Sequence, residues 1–172
     1  VHESHEILFL GGGATFQFGM VPLNFLAGGS ADFTITGAWA KKAHADAKKI
    51  GKVNVLFDGS AGEFTTLPDP GETKPTPDAR YLHVTSNETI GGLQWKQFPE
   101  AGNIPLVCDM SSDILSRPID FAPFGLIYAG AQKNLGPAGV TVVIVRKDMM
   151  EREPENLPAY LKYSTHAEKQ SL

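Results

Sequence analysis

Two apolar runs, Leu126–Gly130 and Val140–Arg146, stand only nine residues apart. A parallel crossover needs about a dozen residues and usually a helix, so this pair must run antiparallel. Upstream, strand-length runs alternate with helix-length ones: Glu6–Leu10, Ala14–Leu26, Ala31–Thr36, Ala38–Ile50 and Val53–Phe57. That alternation predicts parallel strands joined by helices. The two constraints together predict an α/β fold, a mostly parallel sheet with one antiparallel strand and helices on both faces.

The nine linking residues carry one lysine, Lys133, in a bend closed by Gly136, Pro137 and Gly139. A lysine held in an apolar bend would lose its ammonium proton more readily and could attack a carbonyl to form a Schiff base. Taken alone it reads better as an ordinary surface lysine ending a strand. Twenty-four residues upstream, Ile104–Cys108 makes another buried strand that ends in Asp109. Ligands of open parallel sheets gather at the carboxyl ends of strands, so these two side chains can converge on one ligand. A lysine for an aldehyde and a carboxylate for a ring nitrogen are what pyridoxal 5'-phosphate requires. By itself, Asp109 equally reads as a helix cap or a metal ligand.

The run Gly11, Gly12, Gly13 opens directly into the helix Ala14–Leu26, in which Pro22 can introduce a kink. Amides at such a helix start can hold an anion, phosphate above all, or the glycines can simply make a tight turn. Phe16 stands where the last glycine of a dinucleotide fingerprint belongs, and no Walker lysine follows. Thr36 is placed to cap the helix Ala38–Ile50, whose Lys41, Lys42, Lys48 and Lys49 form a wet face. Trp39, in its first turn, can stack on a flat ring or pack in the core. Ser60 and Glu63 have capping-box spacing. Leu67–Asp78, with four prolines, reads as surface loop, and Arg80–Thr85 as a strand whose following loop offers the Thr89 hydroxyl.

A chain of 172 residues with 42% hydrophobic content can bury one genuine core. The formal net charge of -4, without a run of like charges, argues against nucleic acid or an anionic membrane as partner. The longest apolar runs are too short to span a bilayer, and a cytoplasmic location is expected. The single cysteine, Cys108, excludes an internal disulfide and should serve packing. His2, Glu3, His5 and Glu6 are not a zinc motif, because the histidines are three apart instead of four; they are assigned to a mobile end, and no metal is expected. His44, His83 and His166 default to surface or hydrogen-bonded imidazoles. The chain begins without methionine and reads as a fragment, with Glu151–Leu172 an exposed segment leading out of it.

Four segments resemble phosphoserine aminotransferase, a fold type I family dependent on pyridoxal phosphate: GGGATFQF with VPLNFL, TGAWAKKA, TSNETIGG, and DMSSDILSRPID through YAGAQKNLGPAGVTVVIVR. The resemblance implies that residues 1–172 are part of the large, cofactor-binding domain, with an N-terminal segment and a C-terminal small domain outside the chain. It assigns Lys133 to the Schiff base, Asp109 to the pyridine nitrogen, Trp39 to ring stacking and Thr89 to the ring oxygen. Gln132, Gly13 and Ala14 are assigned to the phosphate, with Thr15 and Ser111 as neighbours. Some relatives carry an arginine where this chain has Ala14, and the family's substrate-binding arginines lie outside these residues. The implied reaction has two stages. L-Glutamate displaces Lys133 and leaves its amino group as 2-oxoglutarate departs; 3-phosphohydroxypyruvate then takes that group to become O-phospho-L-serine, in serine biosynthesis. The family is also homodimeric, with sites shared across the interface, and suggests 4-phosphohydroxythreonine as a second substrate. The alternatives are another fold type I enzyme, whether a different aminotransferase, a lyase or a desulfurase, or an inactive truncated scaffold.

Overall fold

The computed structural model describes residues 3–171. Seven strands build one sheet: β1 (His5–Leu10), β2 (Ser30–Ile35), β3 (Lys52–Asp58), β4 (Leu82–Thr85), β7 (Leu106–Asp109), β8 (Phe124–Gly130) and β9 (Thr141–Arg146). β5 (Asn87–Glu88) and β6 (Leu93–Gln94) form a separate small hairpin. The sheet order is β1-β9-β8-β7-β4-β2-β3, and β9 runs antiparallel to both its neighbours while every other pairing is parallel. The short link between β8 and β9 therefore has the consequence its length demands. All the parallel strands send their carboxyl ends to one edge, and that edge carries the site.

β8 is buried at all seven residues, as a strand covered on both faces must be. Side chains alternate along it, so Leu126 and Tyr128 enter one core while Ile127 and Ala129 enter the other. The first core is roofed by α1 (Gly13–Phe25) and α2 (Ala38–Ile50), with Met149 from α3 (Lys147–Met150) and Tyr163 from α4 (Tyr163–Glu168) at its margin. The second is closed among the described residues by irregular chain that supplies Phe98, Ile104, Ile119 and Phe121. Prolines at 99, 105, 118 and 123 keep that stretch from forming a helix. The long helices thus share one face.

α1 carries Pro22 inside its 13 residues. Several other local expectations change in the folded chain. No capping box forms at Ser60: Asp58 Oδ1 accepts from Ser60 N at 2.9 Å to start a 3-10 turn, and Glu63 ends it in the left-handed region. His5, assigned to a mobile end, is buried in β1, hydrogen-bonded through Nε2 to the carbonyl of Phe124 at 2.9 Å; His2 lies outside the described residues. The polar segment after Glu151 is anchored. Tyr163 is fully buried, stacks on Phe25 at 5.6 Å and donates its hydroxyl to Gln17 Oε1 at 2.7 Å, while Asn24 Nδ2 donates to the Leu161 carbonyl. A buried aromatic with a bonded hydroxyl helps to hold such a segment although its average composition is polar.

Candidate functional site

Asp109 closes β7, in register with Thr85 of β4 on one side and Tyr128 of β8 on the other. It is buried, and its Oδ1 accepts from Ser111 N at 2.9 Å. Burial pushes its carboxyl up to about 6, against the opposing pull of the Ser111 hydrogen bonds and the Lys133 charge. Ser111 Oγ in turn accepts from Gly130 N at 3.0 Å, joining the ends of β7 and β8. Asp109 is thus a buried carboxylate held at one oxygen, within reach of the charge of Lys133 on the loop that follows the neighbouring strand.

Lys133 follows β8 by three residues. Its Nζ donates to Thr89 Oγ1 at 2.8 Å and lies 4.9 Å from the centroid of the Trp39 ring. Lys133 is exposed, which corrects the expectation of a lysine buried in an apolar bend. The loop after Ala131 turns outward, so the hydroxyl and the indole, not an apolar wall, define the ammonium's position. Trp39 and Thr89, from separate segments, thus both meet the Lys133 ammonium.

The start of α1 stands on the same edge. Gly12 and Gly13 have φ of 90° and 69°, which glycine adopts without strain, and the helix has neither a side-chain cap nor an acidic residue in its first turn. Gly13 and Ala14 are half-buried and Thr15 is exposed. The amides of this turn are therefore open to an anion. Gln132 folds back over Gly130, where a Cβ would come within 2.8 Å of its Oε1. No hydrogen bond among the described residues joins Gly13, Ala14, Thr15 or Gln132 to Lys133 or Asp109.

Sequence reasoning missed Glu88. Thr36 does not cap α2; its hydroxyl is buried without a partner among the described residues, and the Glu88 carboxylate accepts from Trp39 N at 3.0 Å and Ala40 N at 2.7 Å instead. With acceptor and donor at least 48 positions apart, no local pattern could signal this cap. Asp113 was also missed: it accepts from the Ser86 hydroxyl and, at 2.9 Å, from Gln94 Nε2. The Trp39 Nε1 and Thr85 Oγ1 atoms are buried with no hydrogen-bond partner among the described residues. Cys108 packs as expected, its thiol pushed up by burial and by the neighbouring Asp109 and Asp113 charges. A cleft of about 610 Å³ lined by Gly28, Gly29, Lys52 and Arg80 lies at the opposite, amino edge of the strands, away from these groups.

Among the described residues no group of three or more His, Cys, Asp or Glu side chains converges as a metal site would, and no helix is long and apolar enough to cross a membrane. The family described as Aminotransferase class-V matches residues 1–159. The phosphoserine aminotransferase of Niallia circulans is 53% identical over 98% of this chain and 47% of its own length. Among solved structures, the phosphoserine aminotransferase of Bacillus circulans subsp. alkalophilus superposes with a TM-score of 0.94 at 52% identity, over 98% of this chain and 47% of that one. The enzyme from Trichomonas vaginalis, solved with PLP bound, gives 0.89 at 38% identity, over 98% and 51%. The chain spans about half the length of the relatives it matches.

Proposed function

The chain belongs to the class-V aminotransferase family, and from that premise we propose that it forms the cofactor-binding part of a phosphoserine aminotransferase. The reaction is the transfer of an amino group from L-glutamate to 3-phosphohydroxypyruvate, giving O-phospho-L-serine with pyridoxal 5'-phosphate as cofactor. The observation that carries this reading is the meeting of Thr89 and Trp39 at Lys133, whose charge acts on the buried Asp109.

The residues present fit the cofactor. A carboxylate raised by burial gains from a cation placed against it, and a protonated ring nitrogen is one. An uncapped helix start with no acidic side chain suits a phosphate. When bound, pyridoxal phosphate supplies an aldehyde for the amine and a ring that withdraws electrons from the substrate carbon. Asp109 would keep the ring nitrogen protonated, and Ser111 orients Asp109 through its amide. Lys133 would hold the aldehyde and, once released, carry the proton between substrate and cofactor carbons from its Nζ. Thr89 would steer Lys133 and meet the ring oxygen, and Trp39 would lie against the ring. Gly13, Ala14 and Gln132 would take the phosphate, with Thr15 beside them. A homodimer with shared sites, and a cytoplasmic location, follow from the same reading, as do substrate-binding groups from the half of the relatives that this chain does not span.

The test uses the full-length protein. Borohydride reduction in the presence of pyridoxal phosphate should fix the cofactor covalently to Lys133, and a substrate panel should show preference for 3-phosphohydroxypyruvate. Lys133→Ala should lose both labelling and transamination; labelling at another lysine, or undiminished turnover, contradicts the assignment.

A further inference from the structure

Helix α2 begins in a way that local sequence rules do not produce. Gly37 at its N-cap position offers no side chain, and the helix has no acidic residue in its first turn. Its first amides are instead satisfied from the β5–β6 hairpin, where the Glu88 carboxylate accepts from Trp39 N and Ala40 N through separate oxygens. Glu88 is 1% exposed, and no lysine, arginine or histidine bridges it among the described residues. The helix N-terminus is the positive counterpart of this buried charge.

The next residue after Glu88 is Thr89, which receives the hydrogen bond from Lys133 Nζ. One carboxylate therefore ties together the two groups that touch Lys133, the Trp39 indole and the Thr89 hydroxyl, although they belong to segments 50 residues apart. The hairpin is braced behind it, with Gly92 N donating to the Glu88 carbonyl at 2.8 Å. Gly37 admits the carboxylate. A Cβ there would lie 2.5 Å from Glu88 Cδ and 2.6 Å from Cγ, and the extended φ of 175° is open to any residue, so this glycine is needed for space alone.

We propose that Glu88 is a positioning residue of the site: seated against Gly37, it caps α2 from the hairpin and so holds Trp39 and Thr89 in place before the cofactor arrives. The cofactor half of this inference rests on the function proposed above.

The experiment compares full-length wild type with Glu88→Gln, Glu88→Ala and Gly37→Ala. In the cofactor-free protein, hydrogen exchange of peptides covering 37–42 and 88–94 is measured against peptides of α1. Pyridoxal phosphate affinity is measured by equilibrium dialysis. Glu88→Ala and Gly37→Ala should speed exchange in both segments together, leave α1 unchanged, and weaken cofactor affinity on the order of tenfold or more, the factor that one lost charged hydrogen bond makes. Glu88→Gln, which retains one acceptor oxygen, should fall between them and wild type. Gly37→Ala tests the idea with the carboxylate still present. Exchange that rises in one segment only, rises equally in α1, or rises without a change in affinity overturns the proposal. A wild-type protein that takes up no cofactor refutes the proposed function, and exchange then still decides whether Glu88 couples the two segments.

Discussion

Asp109→Asn should make the cofactor-free protein more stable at neutral pH while weakening its hold on the cofactor. Burial raises the folded-state pKa of this carboxyl from 3.8 to about 6. The folded chain then binds the proton more tightly than the unfolded chain, so Asp109 favours folding fully below about pH 4 and loses that contribution as pH rises through about 6. The difference corresponds to ~3 kcal/mol of destabilisation at pH 8, at about 1.4 kcal/mol per pKa unit. Asparagine removes the charge yet keeps an oxygen to accept from Ser111 N, the bond that Asp109 makes at 2.9 Å. Urea unfolding of the full-length apoprotein at a series of pH values gives the measurement. The variant should be more stable by up to ~3 kcal/mol at pH 8, with the gap narrowing to almost nothing near about pH 4. The same substitution should lower pyridoxal phosphate affinity, because the carboxylate is no longer there to meet a protonated ring nitrogen. A variant no more stable than wild type at pH 8, or one whose advantage survives acidification, refutes the reasoning.

Other expectations follow from the interior. His83 is buried against Phe33 and hydrogen-bonded to the Tyr128 hydroxyl at 2.9 Å, and burial followed by the His44 charge lowers its pKa from 6.5 to about 3. Its imidazole resonances should stay flat between about pH 8 and 5, whereas the unfolded chain takes up that proton first, so the stability His83 lends above about pH 6.5 is lost progressively as pH falls toward 3; a midpoint near 6.5 in the folded protein would falsify the burial argument. The Cys108 thiol, buried and pushed up, should react with a thiol reagent at pH 8 only as fast as the protein unfolds, and prompt stoichiometric labelling would contradict this. Leu126→Ala, at a fully buried position between α1 and the sheet, should cost about 2–5 kcal/mol in urea unfolding; a loss under about 1 kcal/mol would mean the cavity collapses.

The reversed strand β9 was legible because a nine-residue link is a local constraint on what the chain can do. The helix Ala38–Ile50 was legible for a similar reason, its lysines and alanines dividing it into wet and packed faces. That Lys133 and Asp109 stand at the same edge was legible because they follow neighbouring parallel strands, whose carboxyl ends lie together whatever the details of packing. What failed were statements about burial and capping. Composition around Lys133 suggested an apolar bend, but the loop projects outward and the lysine is exposed. Composition after Glu151 suggested an exposed segment, and most of its residues are exposed or half-buried, but Tyr163 finds a slot beside Phe25 and Gln17 that no property of its own neighbours foretells.

The capping of α2 divides the two kinds of information most clearly. Periodicity and chain length, read residue by residue, determine which segments become strands and helices, which strand reverses, and which edge collects the reactive groups. The choice between the adjacent Thr36 hydroxyl and the distant Glu88 carboxylate was made only when the hairpin came to rest over Gly37. Short-range spacing acts through backbone geometry that every chain shares, whereas a contact between residues 48 positions apart depends on where several packed elements leave room for one another.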